Sequence, residues 1–260
     1  MQTAREIIDD VRGLLAGDPV FLAGSLVASD TYGKSNAHHD VDIFCPSDIV
    51  LMVTTQKLIM SGFSFADRSE RIWARWLLMG MKRWHTNSIR LLSPHGYEVN
   101  LVYKLTDGHP VTSLSQVLES FDFGLLSTGY DLKTNTFMDL RGFLFPGMDP
   151  MGPFPLMPNK RDNWRNGFIS QYNGLREAGR YAKYVGYGYD LSLVKDDLHT
   201  GYMQAWLYLS NHFDAEKQQL GLIYETIAAY IDLDDIDGLA KASSLIDYSD
   251  SLDAIMAALE

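Results

Sequence analysis

The chain has 260 residues, 46% hydrophobic and 12% aromatic, with 21% charged; this composition excludes a disordered or fibrous chain, and the length suits one large domain or a core with an appended lobe. Its net charge of −11 is unevenly placed, since residues 190–260 hold 14 Asp and Glu against 3 Lys, while residues 1–189 hold 19 acidic and 19 basic groups. An acidic end of this kind repels a phosphate backbone and argues against a nucleic-acid-coating protein, though it offers a surface to a protein partner.

Over residues 3–16, Ile7, Ile8, Val11, Leu14 and Leu15 share one helical face, which predicts an amphipathic helix stopped at Gly17. Acidic residues in MQTAREIIDDVRG interrupt any signal-peptide core, and no uncharged apolar run of 18 residues follows. The expectation is a cytoplasmic protein with no membrane partner. PVFLA, residues 19–23, reads as a buried strand ended by Gly24-Ser25. HDVDIFC, residues 39–45, reads as a second strand with Asp40 and Asp42 on one face and Val41 and Ile43 on the other. Cys45, the one cysteine, is expected to be a small buried hydrophobe at its end. His38 and His39 are adjacent and therefore point to opposite faces, so they cannot clamp a metal together.

After Pro46, SDIVLMVTTQKLIMSGF predicts a helix with a Ser or Asp cap that stops at Gly62. Residues 71–104 carry Arg71, Arg75, Lys82, Arg83, Arg90 and Lys104 against Glu98, interleaved with Trp73, Trp76 and Trp84. Such a stretch can hold phosphates; alternatively its tryptophans fill a core while the cations solvate the far face. Residues 82–104 predict a hairpin around Ser93-Pro94-His95-Gly96. A short helix is expected from Thr112 or Ser113, then a strand around residues 121–130.

FPGMDPMGPFPLMPNK interrupts every periodic pattern and marks a boundary. The expected organisation is an α/β (α+β) lobe over 1–145, a linker over 146–160, and a helical lobe over 161–260 whose C-terminal part is acidic. Helices are expected near 161–186, 191–212, 214–231 and 250–259. DLDDIDG, residues 232–238, lacks the spacing and glutamate of a calcium loop and reads as a solvated turn.

Two aspartates at i and i+2 on a strand stand about 7 Å apart on one face, where they can share Mg²⁺ or Mn²⁺ completed by substrate phosphates. Glycine before them lets backbone amides approach a phosphate, and a serine hydroxyl can donate to one. This order, a strand, Gly24-Ser25, then a strand with Asp40-Val41-Asp42, resembles the DNA polymerase β-like nucleotidyltransferase superfamily. FDFGLLSTGYD and RYAKYVGYGYDL are also similar to pieces of small nucleotidyltransferase-like phage proteins.

The resemblance spans roughly residues 1–130 and is specific over 20–45. It implies a mixed sheet with flanking helices, and transfer of a nucleoside monophosphate from an NTP, with ATP the leading candidate, to a hydroxyl of RNA or tRNA, protein or a small molecule. It implies that Gly24 and Ser25 hold the triphosphate and that Asp40 and Asp42 hold the catalytic metals. In the superfamily a helical lobe closes one side of the cleft, from which Lys183 or Arg180 can reach phosphate. A third carboxylate comes from a later strand; here the matching VNLV position is Asn100. Glu98, two residues earlier on the same face, is the candidate catalytic substitute, with Asp122 in FDF the alternative. The competing reading is a catalytically degenerate lobe that serves as a binding module.

Overall fold

The structure, a computed structural model, describes residues 2–34, 40–66, 69–79, 86–106, 108–158, 180–181, 183–194 and 197. The chain divides into two compact units, 1–150 and 151–260.

In the first unit the elements run α1 (Ala4–Leu14), β1 (Phe21–Ala23), α2 (Ser25–Thr31), β2 (Val41–Phe44), α3 (Asp48–Met60), β3 (Ser64–Phe65) and α4 (Ser69–Met79). They continue with β4 (Asn87–Leu92), β5 (Glu98–Tyr103), β6 (Leu105–Thr106), β7 (His109–Pro110), α5 (Leu114–Glu119), β8 (Thr128–Asp131), β9 (Thr136–Asp139) and α6 (Arg141–Leu144). The helices start where side chains can cap them. Thr3 Oγ1 accepts from Glu6 N at 3.2 Å while Glu6 Oε2 accepts from Thr3 N at 2.7 Å, a reciprocal capping box for α1. Ser47 caps α3 through Val50 N at 3.1 Å, and Ser113 caps α5 through Gln116 N at 3.3 Å.

Seven strands form one mixed sheet in the order β3-β4-β5-β2-β1-β8-β9. β2 and β5 run parallel, whereas β1 pairs antiparallel with both β2 and β8, and β4 and β5 form the expected hairpin. Alternation then sorts the strands into two faces. On one, Leu22, Val41, Ile43, Ile89, Val99 and Leu101 meet Ile8 and Val11 of α1, Leu26 and Val27 of α2, and Leu51 and Leu58 of α3 in the main core. On the other, Phe21, Ala23, Phe44 and Val102 pack with Leu114, Val117 and Leu118 of α5. Cys45 is buried in the main core, where desolvation pushes its thiol up to about 12 despite a hydrogen bond with Thr54; it is a packing residue. The turn between β4 and β5 is tied to α1 by Tyr97, whose hydroxyl donates to Asp10 Oδ2 at 2.6 Å.

Two expectations change, and a helix is added: α4 forms over SERIWARWLLM. The strand expected around 121–130 begins at Thr128 and is preceded by a 3₁₀ turn at Gly124–Leu126, so Asp122 is not on a strand. The first hairpin arm begins at Asn87; Lys82, Arg83 and Trp84 lie outside the described residues.

Of the tryptophan and arginine patch, Trp73 of α4 is buried in the main core with Trp76 against it, while Arg71 and Arg75 are exposed. Trp73→Ala is therefore expected to destabilise the protein by about 3 kcal/mol, whereas Arg71→Ala should change stability by less than about 0.5 kcal/mol. Urea unfolding followed by circular dichroism checks both, and an inert Trp73→Ala would contradict the packing.

In the second unit, Phe154, Leu156 and Met157 of the Pro, Gly and Met-rich segment are buried. The Phe154 ring stands 6.1 Å from that of Tyr189, which is itself 6.1 Å from Tyr184. Residues 180–181 and 183–186 are helical and Ser192–Val194 form a 3₁₀ turn. The remaining helices expected beyond residue 160, and the acidic end from 198 onward, lie outside the described residues.

Candidate functional site

β1 ends at Ala23 and the chain turns through Gly24 directly into α2. Gly24 has φ 99° and ψ −159°, a region that essentially only glycine occupies. Ala23 is the Cα partner of Asp42 across the antiparallel ladder, so the turn passes over the Asp42 side chain. A Cβ on Gly24 would stand 2.6 Å from Asp42 Oδ2. Backbone conformation and space thus both demand glycine here. Ser25, the first residue of α2, is buried.

On the other side of Asp42 runs β5. The parallel register pairs Asp42 with Asn100, and Asn100 Nδ2 donates to Asp42 Oδ1 at 3.0 Å. Asp42 and Asn100 are half-buried because they lie on the α5 side of the sheet, beyond the apolar patch of Phe44 and Val102. Asp40 immediately precedes β2 and is exposed; the expected strand is shorter at this end, so its carboxylate is less constrained than that of Asp42.

Glu98 shares the face of Asn100, and its Oε1 accepts from Arg90 Nη1 at 3.2 Å. The hairpin register sets Arg90 opposite Asn100. With strands about 4.8 Å apart, a carboxylate, an amide and a guanidinium follow one another across about 10 Å of sheet. Asp122 is buried between α5 and the 3₁₀ turn. Lys183 belongs to the second unit, where its Nζ lies 5.9 Å and 5.8 Å from the ring centroids of Tyr184 and Tyr187. Arg180 is in the same unit, and His38 and His39 lie outside the described residues.

Asp42 therefore lies between the Gly24 turn and Asn100, with Ser25 next to Gly24 in the chain and Asp40 two residues before Asp42. Among the described residues, no group of three His, Cys, Asp or Glu side chains converges as a metal site. The hard-oxygen donors that remain, two carboxylates and an amide carbonyl, are of the kind that suits Mg²⁺ or Mn²⁺. Asn100 Oδ1 is buried and accepts no hydrogen bond among the described residues, which fits a place where a cation or its water can be received. In the sequence Arg90 stands out only as part of the basic patch; its alignment with Asn100 follows from hairpin register, which the turn at Gly96 signals.

No protein-family model matches the chain, and comparison with curated proteins gives no match. What the structure defines is a mixed α/β fold with a seven-stranded sheet. Among the described residues no helix is long and apolar enough to cross a membrane.

Proposed function

We propose that the first unit is a nucleotidyltransferase-type lobe and that the protein transfers a nucleoside monophosphate from an NTP to a hydroxyl. The observation that carries this reading is the contact of Gly24 with Asp42: a glycine in a glycine-only conformation, followed by serine, lies against a half-buried aspartate at the start of a helix.

In this reading Asp40 and Asp42 hold Mg²⁺ or Mn²⁺. When bound, the ion neutralises charge developing on the α-phosphate and lowers the pKa of the acceptor hydroxyl. Gly24, through its backbone, and Ser25, through its hydroxyl, position the triphosphate so that the acceptor oxygen can approach the α-phosphorus. The new O–P bond forms as the bond to pyrophosphate breaks, and the hydroxyl proton leaves to a base. Glu98 is the carboxylate on this face proposed for that role. Lys183 is left out of the reading.

A second reading, a binding lobe without transfer, is favoured by Asn100, since an amide stands where the superfamily resemblance expects a carboxylate. One experiment separates the two. The protein is incubated with each α-³²P-labelled NTP, ATP first, with Mg²⁺ or Mn²⁺ and a cell lysate as the source of acceptors. Transfer predicts metal-dependent label on a macromolecule or small product, lost on chelation with EDTA; no label from any of the four nucleotides leaves the binding lobe standing alone.

A further inference from the structure

We propose that residues 140–150 form a strap that opens without unfolding the sheet and that Arg141 is its fastening, an inference independent of the nucleotidyltransfer reading. The strap follows β9. At its root Leu140 packs against the α5 core, and its N–H donates to Ser127 O at 3.0 Å. Beyond that point burial falls away: Phe143 is 80% exposed, residues 146–147 and 149–150 are exposed, and Leu144, Phe145 and Met148 are half-buried.

The backbone order of the strap is local. Phe143 N and Leu144 N donate to Leu140 O at 3.1 and 2.8 Å, Phe145 N to Arg141 O at 2.7 Å, and Met148 N to Phe145 O at 3.2 Å. α6 is four residues long, far below the length at which a helix persists on its own hydrogen bonds. A helix so short, with so little apolar surface buried, needs an outside hold.

Arg141 supplies it. Its side chain is 17% exposed, and the guanidinium is engaged on every side. Nη2 donates to Asp139 Oδ2 at 2.6 Å and Nε to Asp139 Oδ1 at 3.1 Å, a fork matched to a carboxylate. Nη1 donates to Pro150 O, so the group at the root of the strap also holds its far end, where the first unit ends. The guanidinium carbon lies 4.6 Å from the centroid of the Tyr32 ring, at the end of α2. Asp139, Tyr32 and Pro150 are thus joined through one cation. Stacking, charge and hydrogen bonding are lost together when that cation leaves, so the strap is released as a unit, at a free energy below that of global unfolding. Release uncovers the Tyr32 ring and moves the point at which the chain leaves the first unit from Pro150 back to Leu140.

The test is amide hydrogen exchange of the full chain followed by mass spectrometry, with peptides from residues 142–149 read against peptides from β1 and β5 as the internal folding control. In wild type, residues 142–149 are expected to exchange more slowly than an unstructured peptide and faster than β5. Arg141→Ala should speed exchange over 142–149 at least tenfold and leave β1 and β5 unchanged. Arg141→Lys, which keeps the charge and loses the planar fork, should fall between wild type and Arg141→Ala. Wild-type exchange over 142–149 at the rate of an unstructured peptide, or as slow as in β5, overturns the proposal. Unchanged exchange there in both variants overturns it too, as does equal acceleration of strap and sheet. If Arg141→Ala fails to fold, Arg141→Lys compared with wild type decides.

Discussion

Asp42→Asn is expected to leave a folded protein whose metal-dependent label transfer is at least 1000-fold lower than wild type. The loss of activity follows from the proposed role: an amide is a poor ligand for a hard divalent ion, and Asp42 is the better fixed of the two aspartates. The folding expectation follows from the surroundings. Asp42 is half-buried and its Oδ1 accepts from Asn100 Nδ2; an asparagine in its place can present its own carbonyl oxygen to the same donor. A charge-assisted bond becomes a neutral one, at a cost of about 1 kcal/mol, partly offset by less repulsion with Asp40. Thermal unfolding and label transfer measured on the same preparation check the pair of expectations, and transfer within tenfold of wild type would remove Asp42 from the mechanism.

Gly24→Ala is expected to have nearly as large an effect on transfer and a greater one on stability. Holding a non-glycine residue near φ 99°, ψ −159° costs about 1–3 kcal/mol, and the melting temperature should fall by about 3 °C for each kcal/mol. The added methyl would also stand 2.6 Å from Asp42 Oδ2. Because that atom ends a short side chain, the contact is relieved by rotation of the carboxylate, which breaks the Asn100 hydrogen bond and misplaces the proposed ligand. A double-mutant cycle separates these effects. In an Asp42→Ala background, Gly24→Ala should retain the backbone cost and lose the steric one, giving a coupling of about 1 kcal/mol; strict additivity would mean that the Gly24 and Asp42 positions do not act on each other.

The sequence reveals the local features of this site more readily than its long-range ones. Caps, apolar spacing and the Gly-Ser break predict α1, β1, α3 and α5 because each depends on neighbours within a few residues. The alternation in EVNLVY predicts that Glu98 and Asn100 share a face, but a period of two cannot say which of them stands beside Asp42. Parallel pairing of β2 with β5 decides it, and nothing in either strand announces a parallel partner. Facial grounds alone make Glu98 the candidate third carboxylate; in the fold it pairs with Arg90 across the hairpin, and Asn100 occupies the register position opposite Asp42. FDF looks extended and so suggests a strand for Asp122, yet Asp122 is buried between the end of α5 and the 3₁₀ turn. The tryptophans and arginines of α4 admit two readings from sequence, and burial of Trp73 selects the packing one.

The hydrogen bond between Asp42 and Asn100 spans 58 positions of chain. The β4–β5 hairpin can close on microsecond timescales because its strands are separated by a short turn, but laying β5 alongside β2 requires a much larger loop to close, with an entropic cost that rises with the logarithm of its length. Chain topology therefore delays the assembly of this corner beyond that of the elements on either side of it. A partly folded chain can contain Gly24, Asp42 and Asn100 and still not have brought them together, so the Asp42–Asn100 hydrogen bond reports that β5 has docked on β2.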